Sequence, residues 1–290
     1  MARVYLSHFV RALIAVSFLG PFAVIADQTA PPTEADGPSQ VASANLNLEY
    51  QSSPRRSRRS RRPTSYKVVD VKGGGTLTGT VIYKGKIPAP RKIQIVKDHE
   101  SCGKHPTEVP LMTTDSAGRV AQAVAYLADI KEGKDFPEPE SKPRIDQKIC
   151  EFHPHIQVVR ARQEVEILNS DPVAHNINAS QRIYTLFNIL QPQQGMKAVQ
   201  KFTRPGVVNL KCNVHDWMQG YVHVALHPYY QVTGADGTFR LENVPPGKYE
   251  LAVWQEYLGE QTFPVEVKAG ETSDMQIVLK PKDGEEADAK

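Results

Sequence analysis

The chain of 290 residues carries a formal net charge of +3 and a mean hydropathy of −0.42. That length fits about two domains with a proper core, and the small, unevenly spread charge singles out no class of partner. Only one apolar segment is long enough to discuss as a membrane-spanning helix.

That segment opens the chain. Residues 1–11 (MARVYLSHFVR) carry the positive charge, and residues 12–26 form a short apolar run interrupted by Pro21. Val24-Ile25-Ala26 before Asp27 then makes an acceptable cleavage site. The layout is that of a secretory signal peptide over 1–26, with an uncleaved anchor as the alternative. Periplasmic or extracellular localisation follows, with no transmembrane span after cleavage. Residues 27–66 lack apolar periodicity and read as a disordered linker. Within it, six arginines between Arg55 and Arg62 suit either contact with an acidic surface or a solvated spacer. They point to no specific nucleic acid.

From residue 66 the pattern becomes that of strands. TLTGTVIYKGKIP (76–88) alternates and ends in turn residues, and KIQIVKD (92–98) follows. VAQAVAYLADIKEGKDF (120–136) reads as either a strand or a short helix. IQVVRA, EVEILNSD, KAVQKF, VVNLKCNVH and YVHVAL continue the run of short strands to residue 226. This spacing, without a helical period, predicts a β-sandwich or barrel. A second unit of about six short strands begins near His227, punctuated by ADG, NVPPGKY and KAGE. Alternation through Tyr249, Leu251 and Val253 turns one face inward, with Trp254 as the large filler. The tail after residue 282 is charged and expected to fray.

Three cysteines, Cys102, Cys150 and Cys212, make an odd number for an oxidising compartment. A Cys102–Cys150 disulfide would contribute roughly 4 kcal/mol by chain entropy and leave Cys212 as the spare thiol. Cys212 lies in KCNVHDWMQG (211–220), with His215 and Met218 close behind. Thiolate and thioether suit reduced copper, imidazole suits both oxidation states, and two His with one Cys and a distant Met serve one-electron exchange. His175, in EVEILNSDPVAHN, is the best second imidazole: a strand followed by a turn presents it at the sheet's end. A zinc site would have little use for Met. A c-type haem needs C-x-x-C-H, which is absent. A Cys–His nucleophile lacks an identifiable orienting group or oxyanion donors, so no enzymatic activity is assigned.

The stretches VEILNSDPVAHN and CNVHDWM resemble the cupredoxins, the type 1 blue copper proteins, and the C-x2-H-x2-M spacing is closest to the amicyanin-type loop. The resemblance implies a Greek-key β-sandwich over 67–225. It makes His175, Cys212 and His215 equatorial copper ligands and Met218 the axial one, with Asn176 bracing the two ligand loops. It further implies single-electron transfer with a redox partner protein. In such a site the far edge of His215 would reach the surface beside Trp217, with Asp216 favouring a protonated imidazole. The segment 228–280, with DGTFRLENVPPGKYEL, resembles the carboxypeptidase regulatory-like, or transthyretin-like, β-sandwich, expected over 226–282 without chemistry of its own. All four ligands precede it, so a chain ending near Ala225 is expected to bind copper. His153 and His155 in CEFHPHI raise a secondary metal site against the plainer reading of packed imidazoles. His99 and His105 flank Cys102, so the disulfide could gather all four rings; His223 and His227 receive no role. The alternatives to electron transfer are a non-redox binding or adhesion module and a copper storage or delivery protein.

Overall fold

The computed structural model describes residues 65–281 and the backbone of a strand at Leu46–Glu49. The expected signal segment, the Arg55–Arg62 run and the charged tail lie outside the described residues, as does nearly all of 27–66. Among the described residues the chain is all-β, as expected, with one short helix at His99–Cys102. No helix among them is long and apolar enough to cross a membrane.

Two sandwiches make up the fold. One consists of a five-stranded sheet and a four-stranded sheet, all from residues 144–225. The five-stranded sheet runs Ile156–Arg160, Gln219–Ala225, Gly206–Lys211, His175–Gln181 and Tyr184–Gln191; the other runs Lys197–Lys201, Glu164–Asn169, Arg144–Lys148 and Glu151–His153. Period-2 alternation in these strands sends Ile145, Val165 and Ile167 inward from one sheet and Ile177, Val208, Leu210 and Val222 from the other. All seven are at most 1% exposed.

The second sandwich is assembled from both sides of the first. In one of its sheets Gly75–Tyr83 lies between Thr272–Leu279, which it pairs in parallel, and Thr238–Val244, antiparallel. In the facing sheet Val124–Leu127 lies between Tyr230–Val232 and Gly247–Gln255, with Gly259–Val267 beyond. Leu77, Val81, Leu127, Phe239, Leu251, Phe263 and Ile277 meet in a single core. The expected boundary at 225/226 is therefore corrected: the strands Gly75–Tyr83 and Val124–Leu127 belong with the C-terminal unit, and the sandwich of residues 144–225 is an insertion between them and Tyr230. Alternation told which face of residues 75–83 is buried, but it carries no information about the partner strand.

One open reading is decided and another changes. VAQAVAYL forms a strand, Val124–Leu127, buried throughout. Packing on both faces removes the polar alternation that would have distinguished it from a helix. Trp254 is not a filler of the C-terminal core. Leu251 and Val253 point into that core, so Ala252 and Trp254 face the opposite way. There they join Val124, Tyr126 and Ile156 in a third apolar cluster that seals one sandwich onto the other. The Tyr221 ring of the inserted sandwich meets the Trp254 ring edge-on, with centroids 5.2 Å apart.

Candidate metal centre

The antiparallel strands Gly206–Lys211 and Gln219–Ala225 end in register at Lys211 and Gln219, leaving residues 212–218 as a tight loop. Backbone bonds from Cys212 N–H to Met218 O (3.3 Å) and from Met218 N–H to His215 O (3.0 Å) close it. This curl turns the His215 N–H toward Cys212 Sγ (3.4 Å), and the Asn176 N–H approaches the same sulfur at 3.5 Å.

His175 starts the adjacent strand and delivers its ring to the same point. Cys212 Sγ lies 4.0 Å from His175 Nδ1, and the Nδ1 atoms of His175 and His215 are 2.9 Å apart. Both imidazoles are fully buried, and Cys212 is 3% exposed. Met218, 1% exposed, packs in the apolar cluster that holds Cys212 and Trp217. Asn176 accepts from the Asn213 N–H through Oδ1 and donates to Asn188 Oδ1 at 2.6 Å, tying the Cys212 loop to the strand that begins at His175 and to its neighbour.

Two carboxylates that sequence reasoning missed complete the arrangement. Asp171 Oδ2 is 2.8 Å from His175 Nε2, and Asp98 Oδ2 is 2.8 Å from His215 Nε2. Asp171 is itself gripped by backbone. The two-residue turn Ile149-Cys150 joins Arg144–Lys148 to Glu151–His153, and both its residues have positive φ, 55° and 56°. In that conformation both N–H groups point at the Asp171 carboxylate, at 2.7 and 2.8 Å. Asn169 Oδ1 accepts from the Asp171 N–H and fixes the loop from below. Asp98 stands in a left-handed conformation (φ 52°) just before the helix His99–Cys102.

The Cys102–Cys150 disulfide forms as expected and packs against the cluster. Both of its sulfurs lie within 4.8 Å of a His215 nitrogen, and Cys150 Sγ is as close to His175 and Asp171. It also staples residues 91–109 over the loop, where Arg91 Nη2 donates to Trp217 O at 3.1 Å. The exposed edge expected of His215 is thereby corrected. The ring is covered by Asp98 and the disulfide segment, and Trp217 is 4% exposed. Asp216 faces solvent, so the carboxylate on the ring is Asp98.

Electrostatics follow from these contacts. Burial alone would push the Cys212 thiol up. Hydrogen bonding with both imidazoles and with the N–H groups of Asn176 and His215 outweighs it, bringing the thiol down to about 6. For His175, burial pushes down, but Asp171 and Cys212 hold it above the ordinary imidazole value. Asp171 is held low despite burial by His175 and the amides of Cys150 and Ile149. The absence of an orienting group for a Cys–His pair, expected from sequence, is corrected by Asp171.

The other histidines disperse. His99 is exposed. His105, with its side chain 4% exposed, and His153 both approach Glu151, at 3.4 and 3.3 Å. His155 instead reaches across to Glu256 of the second sandwich at 2.9 Å, so the four rings do not gather. His223 packs at 4.5 Å against Tyr126 in the seam between sandwiches.

Residues 220–280 match the family model of the carboxypeptidase regulatory-like domain. That span begins within the last strand of the inserted sandwich and covers the five C-terminal strands. No curated protein sequence matches the chain. Among solved structures, it is similar to a copper-containing nitrite reductase from Thermus scotoductus SA-01 at 20% identity, over 31% of this chain and 23% of that one, with a TM-score of 0.26. A purple cupredoxin from Nitrosopumilus maritimus matches at 23% identity over 29% of this chain and all of its own, TM-score 0.27. Amicyanin from Paracoccus versutus matches at 18% identity over 30% of this chain and 84% of its own, TM-score 0.27. The chain thus spans under a quarter of the nitrite reductase's length.

Proposed function

We propose that this protein holds one copper ion between His175, Cys212 and His215, with Met218 beside it, and passes single electrons to a partner protein outside the cytoplasm. One observation carries the reading. Each imidazole presents Nε2 to a carboxylate, which can only accept, so Nε2 carries the proton and donates. Both Nδ1 atoms therefore turn inward, 2.9 Å apart, beside the Cys212 sulfur. Three electron-rich atoms converging in an apolar interior repel one another unless a cation sits among them.

The donor set fits copper. Thiolate and imidazole together accept both of its oxidation states, and a neighbouring thioether favours the reduced one. Copper bound there would supply a one-electron couple. The chain's part is to hold the donors. Asp171 and Asp98 fix both ring tautomers, Asn176 ties the loops together, and the disulfide segment excludes water. The disulfide also supports an oxidising compartment. A nucleophilic Cys212 is disfavoured by its burial and its 4.0 Å separation from His175 Nδ1.

Reconstitution with Cu(II) tests the proposal. An intense red-region thiolate-to-copper absorption, lost in Cys212→Ser, is the expected result. A weak spectrum, or one unchanged in Cys212→Ser, would refute the assignment.

A further inference from the structure

We propose that the end of the inserted sandwich farthest from the Cys212 loop binds an anionic lipid surface. Ile183 and Tyr184 enter its headgroup layer, and Arg162, Arg182 and Arg204 meet its phosphates. Strand direction defines this end. The strand His175–Gln181 leaves the metal centre at His175, so Gln181 lies about 20 Å away along it. The Gln181 side-chain amide donates to the carbonyls of Arg204 and Pro205 at 3.2 and 3.0 Å. The Arg162 N–H donates to Phe202 O at 2.7 Å. These bonds bring the turns around residues 162, 182 and 204 together on one surface.

An apolar tip projects from that surface. Gln181 pairs with Tyr184, so Arg182-Ile183 is a two-residue turn. Ile183 is 89% exposed and Tyr184 56%. The turn itself does not call for these residues: Arg182 has φ 56°, a conformation that Asn or Gly adopts more readily. The Arg204 guanidinium lies 5.3 Å from the centre of the Tyr184 ring. A Tyr and an Arg presented together, each with an apolar body and a polar end, suit the boundary between water and lipid.

The charge around the tip sets the sign of the occupant. Residues 160–164, 181–184 and 201–206 contain Arg160, Arg162, Arg182, Lys201 and Arg204, all exposed, against a single acid, Glu164. Lys201 and Lys142 stand 3.2 and 3.8 Å from the two Glu164 oxygens, so that acid leaves the arginines unopposed. The chain also enters here. Ser65 lines a cleft with Pro205 and Gly206, and Arg62 precedes it by three residues, so the Arg55–Arg62 run is joined to the fold beside the same surface. A lipid surface fits better than an acidic protein. The apolar part is one protruding turn, too small for the core of a stable protein interface yet suited to shallow insertion between headgroups. Held this way, the protein keeps its Cys212 loop turned away from the bilayer.

The test is co-sedimentation of the chain beginning at Asp27, the expected product of signal cleavage, with vesicles of mixed phosphatidylglycerol and phosphatidylcholine. We expect binding that weakens with salt and is absent with phosphatidylcholine alone. Ile183→Ser should lower the affinity about tenfold, and Arg182→Gln and Arg204→Gln about fivefold each. Val96→Ser, at a 69% exposed position in the segment over the Cys212 loop, should leave it unchanged. All four side chains face solvent, so the variants keep the fold, which thermal melting verifies. Affinity indifferent to Ile183→Ser would assign vesicle binding to the linker arginines alone and overturn the proposal. Equal loss in Val96→Ser, or binding to soluble polyglutamate as tight as to the vesicles, would overturn it as well, the latter in favour of an acidic protein partner. None of these readouts depends on copper, so this proposal and the copper assignment can fail separately.

Discussion

Asp98 reaches across 117 residues of chain to place Oδ2 2.8 Å from Nε2 of His215. It does so from a segment anchored by Cys102, four residues further on, and its side chain remains 37% exposed. The outermost polar group on the His215 side of the centre is therefore a carboxylate.

Removing that carboxylate should loosen the metal. Asp98→Ala leaves the His215 Nε2–H without its acceptor and frees the ring to tilt, so copper affinity should fall by about ten- to a hundredfold. Transfer of copper to a competing chelator measures this. Asp98→Asn, whose amide oxygen still accepts, should recover most of the loss.

Asp171 should matter more. Asp171→Ala removes the partner of His175 Nε2 and leaves the N–H groups of Ile149 and Cys150 buried without acceptors, each costing about 1–3 kcal/mol. The metal-free protein should then melt lower, unlike the Asp98→Ala protein, whose lost contact borders solvent. A thermal scan of both apo variants compares them, and equal melting would show that the turn amides find water.

The thiol predicts a pH dependence in the metal-free protein. Cys212 falls from an ordinary 9.0 to about 6 in the fold, so the folded chain binds fewer protons than the unfolded one between those values. Its contribution is complete above pH 9, declines as pH falls, and is gone below about 6; at its largest it is roughly 4 kcal/mol. Cys212→Ser should flatten this part of the stability curve. Thiolate absorbance in the ultraviolet should titrate near pH 6 in the folded apoprotein and near 9 in denaturant.

The seam between sandwiches gives a mechanical prediction. Trp254→Ala should cost about 3–5 kcal/mol, because the ring is 8% exposed among Tyr221, Tyr126 and Ala252. A chain ending at Ala225, expected from the sequence to bind copper, should keep the inserted sandwich but aggregate through the outer strands left without partners. Gly75–Tyr83 then loses both neighbours, and Leu77 and Val81 meet water. A soluble monomer from that truncation would show that the outer strands find other cover.

What was legible in the sequence was local. Cys212, His215 and Met218 fall within seven consecutive positions, and His175 follows a strand through a visible turn, so their chemistry could be read from spacing. Asp171 was equally visible four residues before His175, but an Asp before Pro reads as turn chemistry until the Ile149-Cys150 amides are seen to hold its carboxylate. Asp98 had no local signal, since nothing in KIQIVKD ties it to a loop more than a hundred residues away. Trp254 was a misapplied rule: the alternation that turned Leu251 and Val253 inward already placed Trp254 on the other face. Adjacency to His215 suggested Asp216 as the carboxylate on its ring, when Asp216 is turned to solvent.

The central place of Gly75–Tyr83 between Thr272–Leu279 and Thr238–Val244 sets an order of events during synthesis. This strand leaves the ribosome long before either partner exists, and so does Val124–Leu127 relative to Gly247–Gln255. Residues 144–225 contain all the strands of their own sandwich and can fold while the outer strands wait. Once folded, they draw the waiting strands and the late ones together, shortening the effective loop that must close and lowering its entropy cost. A metal taken up early would stabilise that intermediate by mass action. Copper supply would then govern how much chain matures, in addition to how much of it is loaded.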